Sequence, residues 1–137
     1  MRLNRDAKAD VLRPVPLFAG LSKRELEQLG GIADEIEIPA GRTLIREGGH
    51  ARELFVLVEG QAKVSAKGRR VATMHGGDFF GEIALVTGVP RTTTVITETP
   101  ARLLVLTQRD FQRLLREQPA IARKLLETLA LRLGPTL

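Results

Sequence analysis

The region between residues 34 and 107 most constrains the fold of this chain. Here β-branched residues alternate with polar ones in short runs that glycines separate. Such alternation is typical of half-buried β-strands. It predicts seven strands, at residues 35–39, 43–47, 53–60, 61–66, 70–74, 92–98 and 101–107. Strands that recur roughly every 8–12 residues between glycine turns indicate an antiparallel sandwich, barrel or roll.

Helical patterns lie on the N-terminal side of this region. Ser22 and Glu25 have the spacing of a capping box, and the apolar residues that follow predict a helix from about Lys23 to Ala33. Further upstream, Pro14 and Pro16 end any helix formed by the first dozen residues.

Two more helices are predicted on the C-terminal side. One ends before Pro119, and the other runs to about Leu133, where Gly134 and Pro135 stop it. The whole chain is therefore predicted to be one domain of 137 residues with an α+β, mainly β, fold. Its parts are an N-terminal helical segment at about 1–33, a β-roll at about 34–107 and C-terminal helices at about 108–133.

Composition excludes several classes of function. The chain is 43% hydrophobic and 27% charged, which is typical of a soluble globular domain. It has no cysteine, so thiol catalysis and thiolate–metal sites are excluded, and His50 and His75 are too few for a histidine-rich metal site. We expect His75 to lie in an exposed loop. No nucleophile–base pair stands out, so we expect neither an enzyme nor a bound cofactor or metal.

The charge and hydropathy patterns bear on partners and location. The net charge of +5 favours an anionic partner, although a merely basic surface explains it equally well. No apolar run approaches the roughly 20 residues that a membrane-spanning helix needs, and the N-terminus lacks an apolar stretch of signal-peptide length. We therefore expect a cytoplasmic protein.

Residues 77–95 interrupt the rhythm of the strands. Residues 82–86 can form one helical turn, and Gly81 directly before it suits a tight turn or a close approach of the backbone. The free N–H groups of such a turn attract an anion, which Arg91 can also bind. Glu82 suits a ligand that also offers a hydroxyl, so a sugar phosphate fits. Alternatively, Glu82 is only a charge at the start of a helix, and Arg91 is its ion-pair partner.

The segment FGEIALVTGVPRTTTV, residues 80–95, resembles the phosphate-binding cassette of the cyclic nucleotide-binding domain family. The similarity continues through VPLFAGLSKRELEQL, IPAGRTLIREG, LFVLVEGQAKV and DFQRLLREQP, so it covers nearly the whole chain. The resemblance implies a jelly-roll-like β-roll, an antiparallel double-stranded β-helix. An N-terminal helix, a short cassette helix and two C-terminal helices would accompany it.

The resemblance also implies roles for individual residues. Gly81, through its backbone, and Glu82, through its carboxylate, would bind the ribose 2′-hydroxyl, and Arg91 would pair with the cyclic phosphate. Backbone amides at Ala84 and near Thr92 would complete the phosphate cage. The implied ligand-binding residues are Gly81, Glu82, Ile83, Ala84, Arg91, Thr92 and Thr93.

The resemblance implies a base pocket as well. Val64 and Met74 match positions that line it in similar domains, although apolar strand residues are usually core. The chain has no Trp or Tyr to cap the base from the last helix, so Arg132, or else Arg123, is the candidate unless both are only solvated. We expect cAMP rather than cGMP, although a threonine such as Thr92 can bind a guanine amino group in similar domains.

We therefore expect a regulatory sensor of the stand-alone bacterial type, whose C-terminal helices move when it binds a cyclic nucleotide. Its effector protein is unknown. No helix-turn-helix follows the last helix, so we expect no direct binding to DNA. Two alternatives remain: an interaction domain with the same roll that binds no nucleotide, and a basic nucleic-acid-binding domain.

Overall fold

A computed structural model describes residues 2–50, 52–81, 85–87 and 90–133, without the side chains of residues 132 and 133. Four helices are present in the described chain, together with a 3-10 helix at Pro16–Phe18. The helices are α1 Arg5–Leu12, α2 Lys23–Ile32, α3 Gln108–Glu117 and α4 Pro119–Leu133. None of the helices in these ranges is both long and apolar enough to span a membrane.

Eight strands form two antiparallel sheets of four strands each. The strands are β1 Asp34–Ile38, β2 Thr43–Ile45, β3 Glu53–Glu59, β4 Ala62–Ala66, β5 Arg69–Met74, β6 Phe79–Phe80, β7 Thr94–Thr97 and β8 Ala101–Thr107. One sheet has the order β1-β8-β3-β6 and the other β2-β7-β4-β5. Sequence neighbours are mostly separated within a sheet, as in a jelly roll, and the α+β, mainly β, fold is confirmed.

Local sequence signals explain the predicted helix α2 and a tight turn between two of the predicted strands. Ser22 caps α2, and both hydrogen bonds of its capping box with Glu25 are present. The turn between β4 and β5 places Lys67 at φ +52° and Gly68 at φ +78°. Two consecutive positive φ values suit the twist of a tight hairpin.

Three details differ from the predictions. The two-residue strand β6 and the 3-10 helix were not predicted, because neither is long enough to show a period. The strand predicted at residues 92–98 begins only at Thr94, because Thr92 and Thr93 form a bend. The turn predicted at residues 82–86 stays a prediction, because residues 82–84 lie outside the described part of the chain.

Strand β3 separates two apolar cores. Leu54 and Val56 pack with the helices, whereas Phe55 and Leu57 face the space between the two sheets. A strand that is buried on both faces reads as a continuous apolar run, as LFVLV does here. Thus β3 joins the helical layer to the roll.

The N-terminal and C-terminal helices pack on one another. The rings of Phe18 and Phe111 lie with centroids 6.2 Å apart. Lys124 of α4 donates a hydrogen bond to Oε1 of Glu25 in α2 at 2.6 Å, and the same oxygen accepts from the backbone N–H of Ser22 at 2.9 Å. The N-terminal cap of α2 therefore also anchors α4.

Candidate functional site

Gly81 and Arg91 meet at the start of β3. Gly81 follows β6, which pairs with β3 through Phe80 and Phe55. Nη2 of Arg91 donates a hydrogen bond to the carbonyl oxygen of Glu53 at 2.6 Å. A Cβ atom on Gly81 would lie 2.5 Å from that carbonyl oxygen and from Nη1 of Arg91. Since Gly81 has φ +91°, both its conformation and its surroundings favour glycine.

The backbone of Arg91 is fixed by the loop between β2 and β3. Its N–H donates to the carbonyl of Gly49 at 2.9 Å, and its carbonyl accepts from the N–H of Gly48 at 2.9 Å. His50 and Pro90 extend this pairing as an isolated β-bridge. Arg91 is thus held at both its backbone and its side chain.

The electrostatics of Arg91 favour an anion. Burial lowers the pKa of this half-buried guanidinium below its ordinary value, and the charge of Glu53 only partly opposes the effect. Within the described residues, its one hydrogen-bond acceptor is the uncharged carbonyl of Glu53. A cation that has lost water without gaining a close counterion is stabilised by an incoming anion.

A cavity of about 170 Å³ opens beside the Arg91 guanidinium. It combines apolar side chains of the roll with the charged side chains of Arg46, Glu53 and Arg91. The lining residues are Leu44, Ile45, Arg46, Gly49, His50, Glu53, Phe55 and Arg91. Phe55 stacks on Phe80 with centroids 5.1 Å apart, which fixes the apolar wall. Such a cavity suits a ligand that is anionic at one end and apolar elsewhere.

The structure places only some of the predicted phosphate-site residues. Gly81 and Arg91 lie together, and Thr92 and Thr93 follow Arg91 in a bend that leads to β7. Thr92 is exposed and Thr93 is half-buried. Glu82, Ile83 and Ala84 lie outside the described residues.

Two of the three predicted base-pocket residues do not line the cavity beside Arg91. Met74 is buried in the core between the sheets, and Val64 packs partly buried against that core. Neither lines the 170 Å³ cavity beside Arg91. Arg132 belongs to α4, but its side chain lies outside the part of the chain that the structure describes. His75 is exposed in the turn after β5, as predicted.

Sequence reasoning missed the contribution of the β2–β3 loop. Glu53 supplies the acceptor for Arg91, and Arg46 and His50 line the cavity. No local pattern marks these residues, because they are 38 or more positions from Arg91 and meet it only through the sheet pairing. Among the residues that the structure describes, no cluster of His, Asp or Glu is suited to a metal ion.

Comparison with known proteins identifies the family to which the chain belongs. Residues 35–118 match the family model for the cyclic nucleotide-binding domain, and this range includes α3 and all of both sheets except Asp34. The chain belongs to the cyclic nucleotide-binding domain family.

Two curated relatives illustrate the range of the family. The chain is 38% identical over 107 residues to a cAMP-dependent protein kinase regulatory subunit of Yarrowia lipolytica, covering 76% of this chain and 28% of that protein. It is 36% identical over 120 residues to a cyclic nucleotide-gated potassium channel of Rhizobium etli, covering 88% and 34%. The chain therefore spans about a third or less of the length of these relatives.

Solved structures of related domains have the same fold. The N-terminal domain of a transcriptional regulator from Streptomyces coelicolor A3(2) superposes with a TM-score of 0.81 at 36% identity, covering 90% of this chain and 92% of that one. A cAMP-bound PfPKA-R superposes with a TM-score of 0.69 at 25% identity, covering 90% and 47%.

Proposed function

We propose that the chain binds a cyclic nucleotide at Arg91 and acts as a cytoplasmic regulatory module rather than an enzyme. The observation that carries this proposal is the half-buried Arg91 guanidinium, fixed against Gly81 beside a cavity with an apolar wall. The cyclic phosphate would supply the anion that this cation lacks among the described residues, and the rest of the nucleotide would contact the apolar wall.

The family motif assigns the other contacts in this proposal. The backbone of Gly81 and the carboxylate of Glu82 would bind the ribose 2′-hydroxyl, and Arg91 would bind the phosphate. Backbone amides would complete the phosphate cage. They belong to the remaining motif residues, Ile83, Ala84, Thr92 and Thr93.

The proposed base contacts are Val64 and Met74, with Arg132 capping the base from α4. Met74 is only 8% exposed within the roll. A base would therefore have to contact the small exposed part of the Met74 side chain or displace the side chains around it. This makes Met74 the weaker contact and half-buried Val64 the better one.

The proposed ligand is cAMP rather than cGMP. Support comes from the related regulatory subunit, whose name identifies it as cAMP-dependent, and from the similar structure that contains cAMP. Thr92 is the feature that favours guanine, and its exposed side chain is free to meet either base.

The proposed response to the ligand is a movement of α3 and α4, within a single domain that spans residues 1–137. These helices pack on α2 and on the 3-10 helix, and α3 also packs on β8. A ligand shifts such a packing equilibrium only if it binds the two arrangements with different affinity. Contact between the base and Arg132 would supply that difference. The effector that reads the movement is not identified.

Parallel calorimetric titrations with cAMP and cGMP test the ligand, with 5′-AMP as the control for a non-cyclic phosphate. We expect one saturable site per chain, tighter for cAMP than for cGMP, and weak or absent for 5′-AMP. Tighter binding of cGMP would overturn the nucleotide preference. Absence of saturable heat with either cyclic nucleotide would overturn the proposed function and favour a ligand-free interaction domain.

Amide hydrogen exchange tests the response separately. With saturating cAMP, we expect protection to change in α4 after residue 119. Unchanged protection there, in a sample that calorimetry shows to be saturated, would reject the proposed helix movement but leave the binding proposal intact.

A further inference from the structure

A second cleft lies beside the start of α3, outside the phosphate-binding motif. Its volume is about 490 Å³. The side chains that line it are almost all charged or amide-bearing. They belong to Arg52, Glu53, Thr107, Gln108, Arg109, Asp110, Gln112 and Arg116.

The three arginines of this cleft have no partner among the residues that the structure describes. Among the described residues, Arg52, Arg109 and Arg116 form no ion pair and no side-chain hydrogen bond. Other arginines of the chain do have acidic partners, such as Arg70 with Glu98 at 2.6 Å. The cleft thus concentrates guanidinium groups that are left unneutralised.

The two carboxylates of the cleft do not cancel this charge. Glu53 also lies at the Arg91 site, where it acts on that guanidinium. Asp110 lies 4.0 Å from Arg113, one turn further along α3. Three arginines and only two carboxylates line the cleft, so it keeps an excess of positive charge.

The arrangement of the arginines is elongated. Arg109, Gln112 and Arg116 are spaced i, i+3 and i+7, so they share one face of α3 and span about 10 Å along its axis. Arg52 is held at the beginning of this row, because its carbonyl accepts the backbone N–H of Gln108 at 2.7 Å. The helical spacing and this backbone hydrogen bond thus define a strip rather than a point.

We infer that this strip, Arg52–Arg109–Gln112–Arg116, docks an acidic peptide segment of a partner protein. Guanidinium groups form paired hydrogen bonds with carboxylates, and the amide of Gln112 can bind a peptide backbone between them. Glu53 and Asp110 repel an unbroken run of phosphates, whereas a peptide can place its carboxylates at the arginines and its uncharged backbone beside these two residues. This inference does not rest on nucleotide binding at Arg91.

Fluorescence anisotropy with a fluorescein-labelled deca-glutamate peptide tests the inference, at low and at physiological salt. The charge reversals Arg52→Glu, Arg109→Glu and Arg116→Glu probe the strip. Arg24→Glu and Arg69→Glu make the same charge change at exposed arginines outside it. A fluorescein-labelled ten-nucleotide single-stranded DNA is the competing probe, and circular dichroism with thermal melting verifies that each variant is folded.

We expect the peptide to bind, and each reversal in the strip to weaken it about 5-fold or more. The two control reversals should change its affinity less than about 2-fold, as expected for long-range charge effects at physiological salt. Equal weakening by controls and strip variants would overturn the inference, since net charge alone would then explain binding. Tighter binding of the DNA through the same arginines would also overturn it, in favour of a nucleic-acid surface. Absence of peptide binding at low salt would reject the strip, whatever calorimetry with cAMP shows.

Discussion

A Cβ atom on Gly81 would lie 2.5 Å from Nη1 and 2.7 Å from Nη2 of Arg91, so the guanidinium occupies space that any side chain at position 81 would fill. Gly81→Ala would displace the guanidinium and place alanine at φ +91°. We expect it to destabilise the fold by about 1–3 kcal/mol and to reduce cyclic-nucleotide affinity strongly. Urea unfolding and calorimetric titration measure the two effects.

Gly77→Ala is the matched control for this substitution. Gly77 has φ +97°, but no atom lies within 4 Å of the position that its Cβ would occupy. The control should therefore lose stability through backbone strain alone and keep its affinity. If Gly81→Ala binds as tightly as Gly77→Ala does, the close approach of Gly81 and Arg91 has no part in the site.

The Lys124–Glu25 pair should make the docking of α4 sensitive to acid. Burial raises the pKa of Glu25, but hydrogen bonds from Lys124 and Ser22 outweigh it and hold the pKa below the ordinary value of 4.5. A carboxyl whose pKa is lowered on folding contributes stability above its unfolded pKa and loses it as the pH falls through the folded value. The contribution is about 1 kcal/mol or less, since the Lys124 side chain is 39% exposed.

Thermal melts of the wild type and Glu25→Gln between pH 7 and pH 3 measure this contribution. We expect the variant to be less stable at pH 7, and the difference to shrink as the pH falls below about 4.5. Glu117→Gln, at an exposed position of α3, should show no such change. A stability difference that stays constant across this range would contradict the assignment.

Thr97 should stabilise the turn between β1 and β2. Its side chain is buried; Oγ1 accepts the N–H of Arg42 at 2.9 Å and donates to the carbonyl of Pro39 at 2.8 Å. Thr97→Val removes both bonds, so we expect a loss of about 1–3 kcal/mol in urea unfolding. Thr97→Ser keeps the hydroxyl and should lose less. Equal losses in the two variants would assign the effect to packing rather than to hydrogen bonding.

The elements that were predictable from sequence carry their signals within a few residues. Ser22 and Glu25 predict α2, and Gly68 lies between two predicted strands, where β4 and β5 form their hairpin. Strand β6 was missed because two residues show no alternation and are defined only by their pairing with β3. Nonlocal pairing is what a local pattern cannot reveal.

The same distinction applies to the site. Gly81 and Arg91 were predicted together because the family motif includes both. The sequence analysis did not predict the contacts of Arg91 with the carbonyl of Glu53 or with the loop at Gly48 and Gly49. Each of these contacts joins residues about 40 positions apart in the chain. A nonlocal contact also lies beside the shortened strand. The backbone of Arg91 pairs with the β2–β3 loop, and the chain bends at Thr92 before the strand begins.

Calorimetric titration of Arg91→Ala with cAMP tests the central claim most directly, with Arg24→Ala as the control at an exposed arginine on α2. We predict that the wild type and the control bind one cAMP per chain with similar affinity. Arg91→Ala, although folded by circular dichroism, should bind about 100-fold more weakly or not at all, because the charged contact to the phosphate is lost. An Arg91→Ala protein that binds cAMP as tightly as the wild type would contradict the claim that this guanidinium holds the nucleotide.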